Sequence, residues 1–512
     1  MSSLDLLRRG RRLSAGGPAL IAGDQSIDYA MLIEAVESSA RDLSAAGIGR
    51  GDIVGVLAPN HPSTLVAAYA AMAAGATYLP VAASESAQNI VSLLARFDVK
   101  MLAFHPRKAE VVEKIRQAAE GVRYVAIDPE APRNVLDLEL GSAKPLAAVR
   151  LGDIAWLGVT GGTTGVPKGV QLSWLAINAF VQKYLVEFPA LRPVMLLATP
   201  LTHAAGMLAM PTFARGGTVV VTDGLVVPEF LDLIERHRVN ELFLPPTGIY
   251  KLLDDPSCRD RDFSSLTHFL YGAAPVSIPR LHQAIDVFGP VMTQAYGQTE
   301  CHTLISVMKP ADHFRDGDTT GPIADDARLS CCGWPTLGTK IEIRDDDDVP
   351  VPAGEPGEIC VLSDLAMSGY YHDPAATEAT LRDGFVHTGD IGFLDTDGCL
   401  HIVDRKKDMV ISGGFNIYPA EVEAALRRQP GIVDCAVVGL PDDYWGEVLA
   451  AAVILPPDTA LDVKRLTNAL KEELGPVKTP KHFVAVESLP LSGVGKILKK
   501  QVREKLLTAL VR

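Results

Sequence analysis

Short apolar runs separated by helical patterns recur through the first three-quarters of the chain, at residues 53–57, 155–159, 219–221, 241–244 and 268–271. Runs this short, without polar alternation, read as strands covered on both faces. The stretches between them carry helix signals: residues 228–237 follow one such run, and residues 279–288 place a proline at their amino end. Alternation of this kind predicts stacked βα units, hence a large α/β body with buried sheets. No repeat of fixed period is present, which argues against solenoid and propeller architectures.

From residue 341 the pattern changes to strands and turns, with Asp345 to Asp348, Gly354, Gly357 and an Asp397-Gly398 turn marking a β-rich subregion. The four aspartates read as a solvated turn. Beyond Arg405 a helix at 420–427, strands at 434–439 and 449–454, and a helix from residue 462 suggest a separate small α+β domain. At 512 residues the chain exceeds what one core usually serves. The expected division is a large domain over 1–404 and a small mobile one over 405–512.

The 48 basic and 62 acidic residues leave a formal charge of −14, which argues against broad binding to nucleic acid or anionic membranes while permitting a local basic pocket. Seven cysteines without a CxxC pair predict reduced thiols and a cytoplasmic protein. Arg8, Arg9, Arg11 and Arg12 precede no apolar signal core, so a surface helix or loop is expected there. Residues 53–84 are uncharged and rich in alanine, but Pro59, Pro62 and Gly75 break them, and no transmembrane segment is expected.

The chemistry-bearing segment is Thr160-Gly161-Gly162-Thr163-Thr164-Gly165-Val166-Pro167-Lys168-Gly169-Val170, which follows an apolar strand and is expected to lead into a helix. Glycines let backbone N–H groups converge on anionic oxygens, threonine hydroxyls add donors, and lysine adds charge, a combination suited to phosphate. A plain surface turn is the bland alternative. The Walker pattern fails on spacing, because Pro167 precedes Lys168 and Gly169 follows it.

This loop resembles the signature of the adenylate-forming superfamily, which includes acyl-CoA synthetases, luciferases and peptide-synthetase adenylation domains. Six further motifs match in order: Pro200-Leu201-Thr202-His203, Tyr271-Gly272-Ala273-Ala274-Pro275, Tyr296-Gly297-Gln298-Thr299-Glu300, His387-Thr388-Gly389-Asp390, Asp404-Arg405-Lys406-Lys407-Asp408 and Gly495-Lys496. One departure is Gly161, where the family usually carries serine.

The resemblance implies ATP, Mg²⁺ and coenzyme A as reaction partners of a small-molecule carboxylic acid. Lys496 corresponds to the catalytic lysine that bridges carboxylate and α-phosphate, and positive charge is what two reacting anions require. Glu300, with Thr163, is the implied Mg²⁺ site, since that ion takes few carboxylates plus substrate phosphates. Thr299 would bond the α-phosphate, Asp390 and Arg405 the ribose hydroxyls. Tyr296 and Gly297, Gly272 to Ala274 and Gln294 would surround adenine. His203 matches a histidine beside the acyl pocket and thiol tunnel, with Ala204, Ala205, Gly206 and Met207 as its wall.

For a second half-reaction, the resemblance places a hinge at Lys407 and a thiol-tunnel loop at Gly413, Gly414 and Phe415. It implies an AMP-forming acid:CoA ligase; a stand-alone enzyme loading a carrier protein's phosphopantetheine is the alternative. Small pocket residues suggest an aromatic, alicyclic or medium-to-long fatty acid.

Overall fold

The computed structural model describes every residue except 131–134, 139–145, 147, 161–166, 414, 443, 458, 492–496 and 511–512, and every side chain of the remainder except that of Asn416. Two large sheets form the body. The nine-stranded one runs Trp334–Pro335, Ser306–Met308, Met292–Tyr296, His268–Gly272, Glu241–Leu244, Val194–Leu197, Thr218–Val221, Pro18–Ala22, Gln25–Asp28. Its inner strands, Met292–Tyr296 across to Pro18–Ala22, are all parallel. The seven-stranded sheet runs Gly369–Tyr370, Lys168–Ser173, Ile154–Thr160, Thr77–Val81, Ile53–Leu57, Val99–Phe104, Arg123–Ala126.

Between these sheets lies one continuous core, drawing Val54, Tyr78 and Trp156 from one and Leu20, Met195 and Val219 from the other. Two helices fill it. Every residue of Pro62–Ala73 is buried, as is every residue from Ala205 to Ala214 of the helix Ala204–Ala214. Apolar character all round a helix, instead of a stripe, is what burial between two layers demands. The second helix ends on Arg215, whose guanidinium makes two 2.6 Å bonds to the equally buried Glu241 carboxylate. Such a fork pairs both charges where water is excluded.

The β-rich subregion is an antiparallel sheet of Lys340–Arg344, Gly357–Leu362, Phe385–Leu394, Leu381–Arg382 and Leu400–Arg405. The carboxyl-terminal sheet contains Phe415–Ile417, Val410–Ser412, Gly446–Ile454, Asp434–Asp442 and His482–Ala485. Pro419–Arg427 and Val463–Leu474 pack on it around Val437 and Leu449. The molecule is thus a large α/β domain followed by a small α+β one.

Three expectations need correction. The segment after the glycine-threonine loop is not yet helix: Lys168–Ser173 is a strand antiparallel to Ile154–Thr160, with Thr160 opposite Lys168, and the helix Trp174–Glu187 starts only after Ser173 caps it. The thiols are not all free, because Cys331 and Cys399 are joined in a disulfide. Finally, Asp345, Asp346 and Asp347 are exposed, but Asp348 turns inward, 3.3 Å from Arg344 and 3.7 Å from His387. The amino-terminal arginines do lie on a helix, Ser3–Leu13, started by a reciprocal Ser2–Asp5 capping box. No described helix is long and apolar enough to cross a membrane.

Candidate active site

The hairpin formed by Ile154–Thr160 and Lys168–Ser173 fixes both ends of the glycine-threonine loop; Gly161, Gly162, Thr163, Thr164 and Gly165 themselves lie outside the described residues. Gly158, two residues before Thr160, has no room for a side chain: a Cβ there would stand 2.5 Å from Thr299 Cγ2. That close approach brings the short turn Thr299–Cys301, and with it Glu300, to the base of the loop.

A strap from the β-rich side completes this corner. Gly369–Tyr370 pairs antiparallel with Lys168–Ser173, and Tyr371 N–H donates to Gly169 O at 2.7 Å. Tyr370 then reaches across. Its hydroxyl donates to Glu300 Oε1 at 2.9 Å, and Lys168 Nζ lies 4.6 Å from the centre of its ring. A cation and a carboxylate therefore share one ring where the ends of the glycine-threonine segment come together, a donor set that suits a metal-bound polyphosphate.

A second corner surrounds Asp390. Strand register sets Asp390 opposite Arg405, whose Nε lies 2.6 Å from Oδ1, while the Tyr296 hydroxyl donates to Oδ2 at 2.7 Å. Asp390 is 3% exposed, so this carboxylate is held by partners that compensate its lost water. Burial, then the adjacent carboxylate, pushes the Tyr296 phenol well above its ordinary range, keeping it a donor. Gln294 is held through both ends of its amide. Its Oε1 accepts from Tyr271 at 3.3 Å and its Nε2 reaches Cys332 Sγ at 3.4 Å.

The chain around these residues is tightly closed. At Gly272 a Cβ would sit 2.3 Å from Ala295 O, and at Gly297 it would sit 2.3 Å from the Thr303 carbonyl carbon. Exposed Ala273 has φ of 66°, with Ala274 following it, and His302 and Thr303 are consecutive left-handed residues at 45° and 63°. Positive φ at two successive residues with side chains is uncommon and clusters at functional loops. His302 is fully buried, stacks on Phe180 at 4.5 Å, and neither ring nitrogen has a hydrogen-bond partner in the described structure. Burial pushes it down to about 4, so it is neutral.

His203 heads the buried helix Ala204–Ala214, with Nδ1 3.0 Å from Thr202 Oγ1. Gly206 is obligatory there, because a Cβ would come within 2.0 Å of Leu201 O. Beyond Arg405, Lys407 is exposed in the turn Lys406–Asp408. Gly413 has φ of +57°, donates its N–H to Trp445 O at 2.9 Å, and lies under the Trp445 ring; Phe415 is exposed nearby in sequence. Gly414 and Lys496 lie outside the described residues.

Two residues escaped the sequence reading. Tyr370 is one; its only signal is a glycine-tyrosine-tyrosine run, and an aromatic with a polar tip is as readily core as site. Lys499 is the other, 3.2 Å from Glu423 and 3.8 Å from buried Asp404. Burial opposes its charge, yet the Glu423 and Asp404 carboxylates prevail and raise it, while burial raises Asp404.

The model of the family described as AMP-binding enzyme matches residues 8–371, and that of the AMP-binding enzyme C-terminal domain matches 421–496. The chain is 35% identical over 510 residues to FadD8, a medium/long-chain-fatty-acid–CoA ligase of Mycobacterium tuberculosis, covering 95% of this chain and 87% of that protein. It is 36% identical to a feruloyl-CoA synthase of an Amycolatopsis species, covering 97% of both. Among solved structures, the amide bond synthetase McbA of Marinactinospora thermotolerans matches at a TM-score of 0.88 and 30% identity, over 98% of this chain and 99% of that one.

Proposed function

The chain belongs to the AMP-binding enzyme family, and from that premise we propose that it is an ATP-dependent, AMP-forming acyl-CoA ligase. A carboxylate oxygen attacks the α-phosphorus of ATP and pyrophosphate leaves; the CoA sulfur then attacks the acyl carbon of the mixed anhydride and AMP leaves. The observation that carries the reading is the clasped Asp390: a 3%-exposed carboxylate held by Arg405 and Tyr296 from two other segments. A carboxylate accepts from several donors at once, and a ribose diol supplies donors of that kind.

The remaining roles follow from charge and reach. The Thr160–Gly165 loop and Lys168 hold the leaving pyrophosphate, Thr299 the α-phosphate, and Glu300 with Thr163 the Mg²⁺, which supplies charge neutralisation to the phosphates. Tyr296, Gly297, Gln294 and Gly272 to Ala274 bound the adenine side. Lys496 carries positive charge to the reacting oxygens. His203 borders the acyl group and thiol, and Gly413, Gly414 and Phe415 line the thiol approach. Residues 1–404 and 405–512 act as two bodies about Lys407. ATP and CoA are cytoplasmic solutes, which supports a cytoplasmic reaction, with an aromatic, alicyclic or medium-to-long fatty acid as substrate.

A panel of such acids tested for ATP–pyrophosphate exchange, then for CoA thioester formation, checks the proposal. Acid-dependent exchange followed by thioester is expected. Exchange without any CoA thioester would replace CoA by a carrier-protein phosphopantetheine as acceptor.

A further inference from the structure

We infer that Tyr370 is a positioning residue that holds Glu300 and Lys168 apart and aimed as a pair. The inference rests on the assignment of those two residues to Mg²⁺ and polyphosphate made above. One rigid ring engages both groups by different parts: its hydroxyl bonds Glu300 Oε1 at 2.9 Å, and its face carries Lys168 Nζ at 4.6 Å. Among the described residues neither Lys168 nor Glu300 enters an ion pair. Opposite charges drawn to one ring could otherwise turn to each other, leaving neither for a ligand. Tyr370 gives each a partner that does not neutralise it: a neutral donor for the carboxylate, an aromatic quadrupole for the ammonium.

The ring is itself anchored from several sides. Tyr370 lies opposite Val170 in the strand that begins with Lys168, and its N–H donates to Thr377 Oγ1 at 2.9 Å. Met367 N–H donates to Glu300 O at 2.8 Å, so the same strap also fixes the Glu300 backbone. Tyr370 is 8% exposed, and a phenol of ordinary acidity is protonated at neutral pH and donates.

Direct binding of ATP to the full chain, with and without Mg²⁺, tests this without requiring turnover or knowledge of the acid. Tyr370→Phe keeps the ring and deletes the hydroxyl; the expected result is about tenfold weaker ATP binding in Mg²⁺, the scale of one charge-assisted hydrogen bond. Mg²⁺-free binding should stay within about twofold. Tyr370→Leu should weaken both, because the lysine loses its face. In a Glu300→Gln background, Tyr370→Phe should add nothing further. Equal weakening with and without metal, or an undiminished effect in the Glu300→Gln background, overturns the positioning role, as does unchanged binding in Tyr370→Phe. The unfolding midpoint of Tyr370→Phe, which keeps the buried ring, should stay at the wild-type value; a fall large enough to account for the lost ATP binding would reduce Tyr370 to a structural residue. If wild type binds no ATP, the underlying ligase reading fails instead.

Discussion

His302 and His313 are folded as neutral imidazoles, both held near pKa 4 chiefly by burial, which at His313 outweighs the bond to the Lys309 carbonyl. In the unfolded chain they titrate near 6.5. Between those values the unfolded state binds more protons, so stability is complete above about pH 6.5 and falls as pH drops toward 4. Each should cost roughly 2 kcal/mol between pH 8 and pH 5. Urea midpoints at the two pH values measure the loss. His302→Phe, which can still stack on Phe180, should show a visibly shallower pH dependence; an unchanged slope would remove His302 from the account. Little of this was legible in sequence. His302 stands two residues beyond the Tyr296-to-Glu300 motif, but Phe180, its stacking partner, is remote in the chain. By contrast the motifs singled out both Asp390 and Arg405, and strand register does bring these two residues together.

At the scale of elements, strands buried on both faces were the easiest to read: Ile53–Leu57 and Glu241–Leu244 begin and end where their apolar runs do. Lys168–Ser173 was missed because only Val170 and Leu172 alternate inward before Ser173 caps a helix. Two inward positions are too few to separate a strand from a loop. The cysteines show a different limit. Cys331 and Cys399 meet because the turn before Leu400–Arg405 folds against residues 332–333, through Cys332 N–H to Leu400 O at 2.6 Å and Leu400 N–H to Gly333 O at 2.9 Å. A count of seven cannot reveal such a pairing. Titration of the denatured, unreduced protein should find five thiols, those of Cys258, Cys301, Cys332, Cys360 and Cys435. Seven after reduction is the complement. Seven without reductant would show that the bond is not formed in the isolated protein. Closure of this 68-residue separation stabilises by at most about 4 kcal/mol in the chain-entropy account, so reduction should lower the urea midpoint as well.

For the whole molecule, the division into a large and a small domain was legible because the hydrophobic pattern itself changes after Arg405; which orientation serves which half-reaction is not written in any pattern. The proposed cycle separates the two steps between two residues. Lys496 is needed only where two anions meet, in adenylation, because thiolysis of an anhydride requires positioning more than charge. Lys407 is needed only where the small domain turns. A proline there fixes φ near −65° and narrows the rotation available to that residue, while the first turn of a three-residue helical segment is a place where proline is tolerated. Lys407→Pro should therefore keep acid-dependent ATP–pyrophosphate exchange within about twofold and lose thioester formation by about a hundredfold, a barrier increase near 3 kcal/mol. Lys496→Ala should do the reverse, losing exchange by a similar factor while still converting supplied acyl-adenylate and CoA to thioester. The two variants must fail in opposite half-reactions. If Lys407→Pro lowers both equally, rotation about this residue is not what divides the steps, and the thiol must reach the adenylate in the orientation that made it.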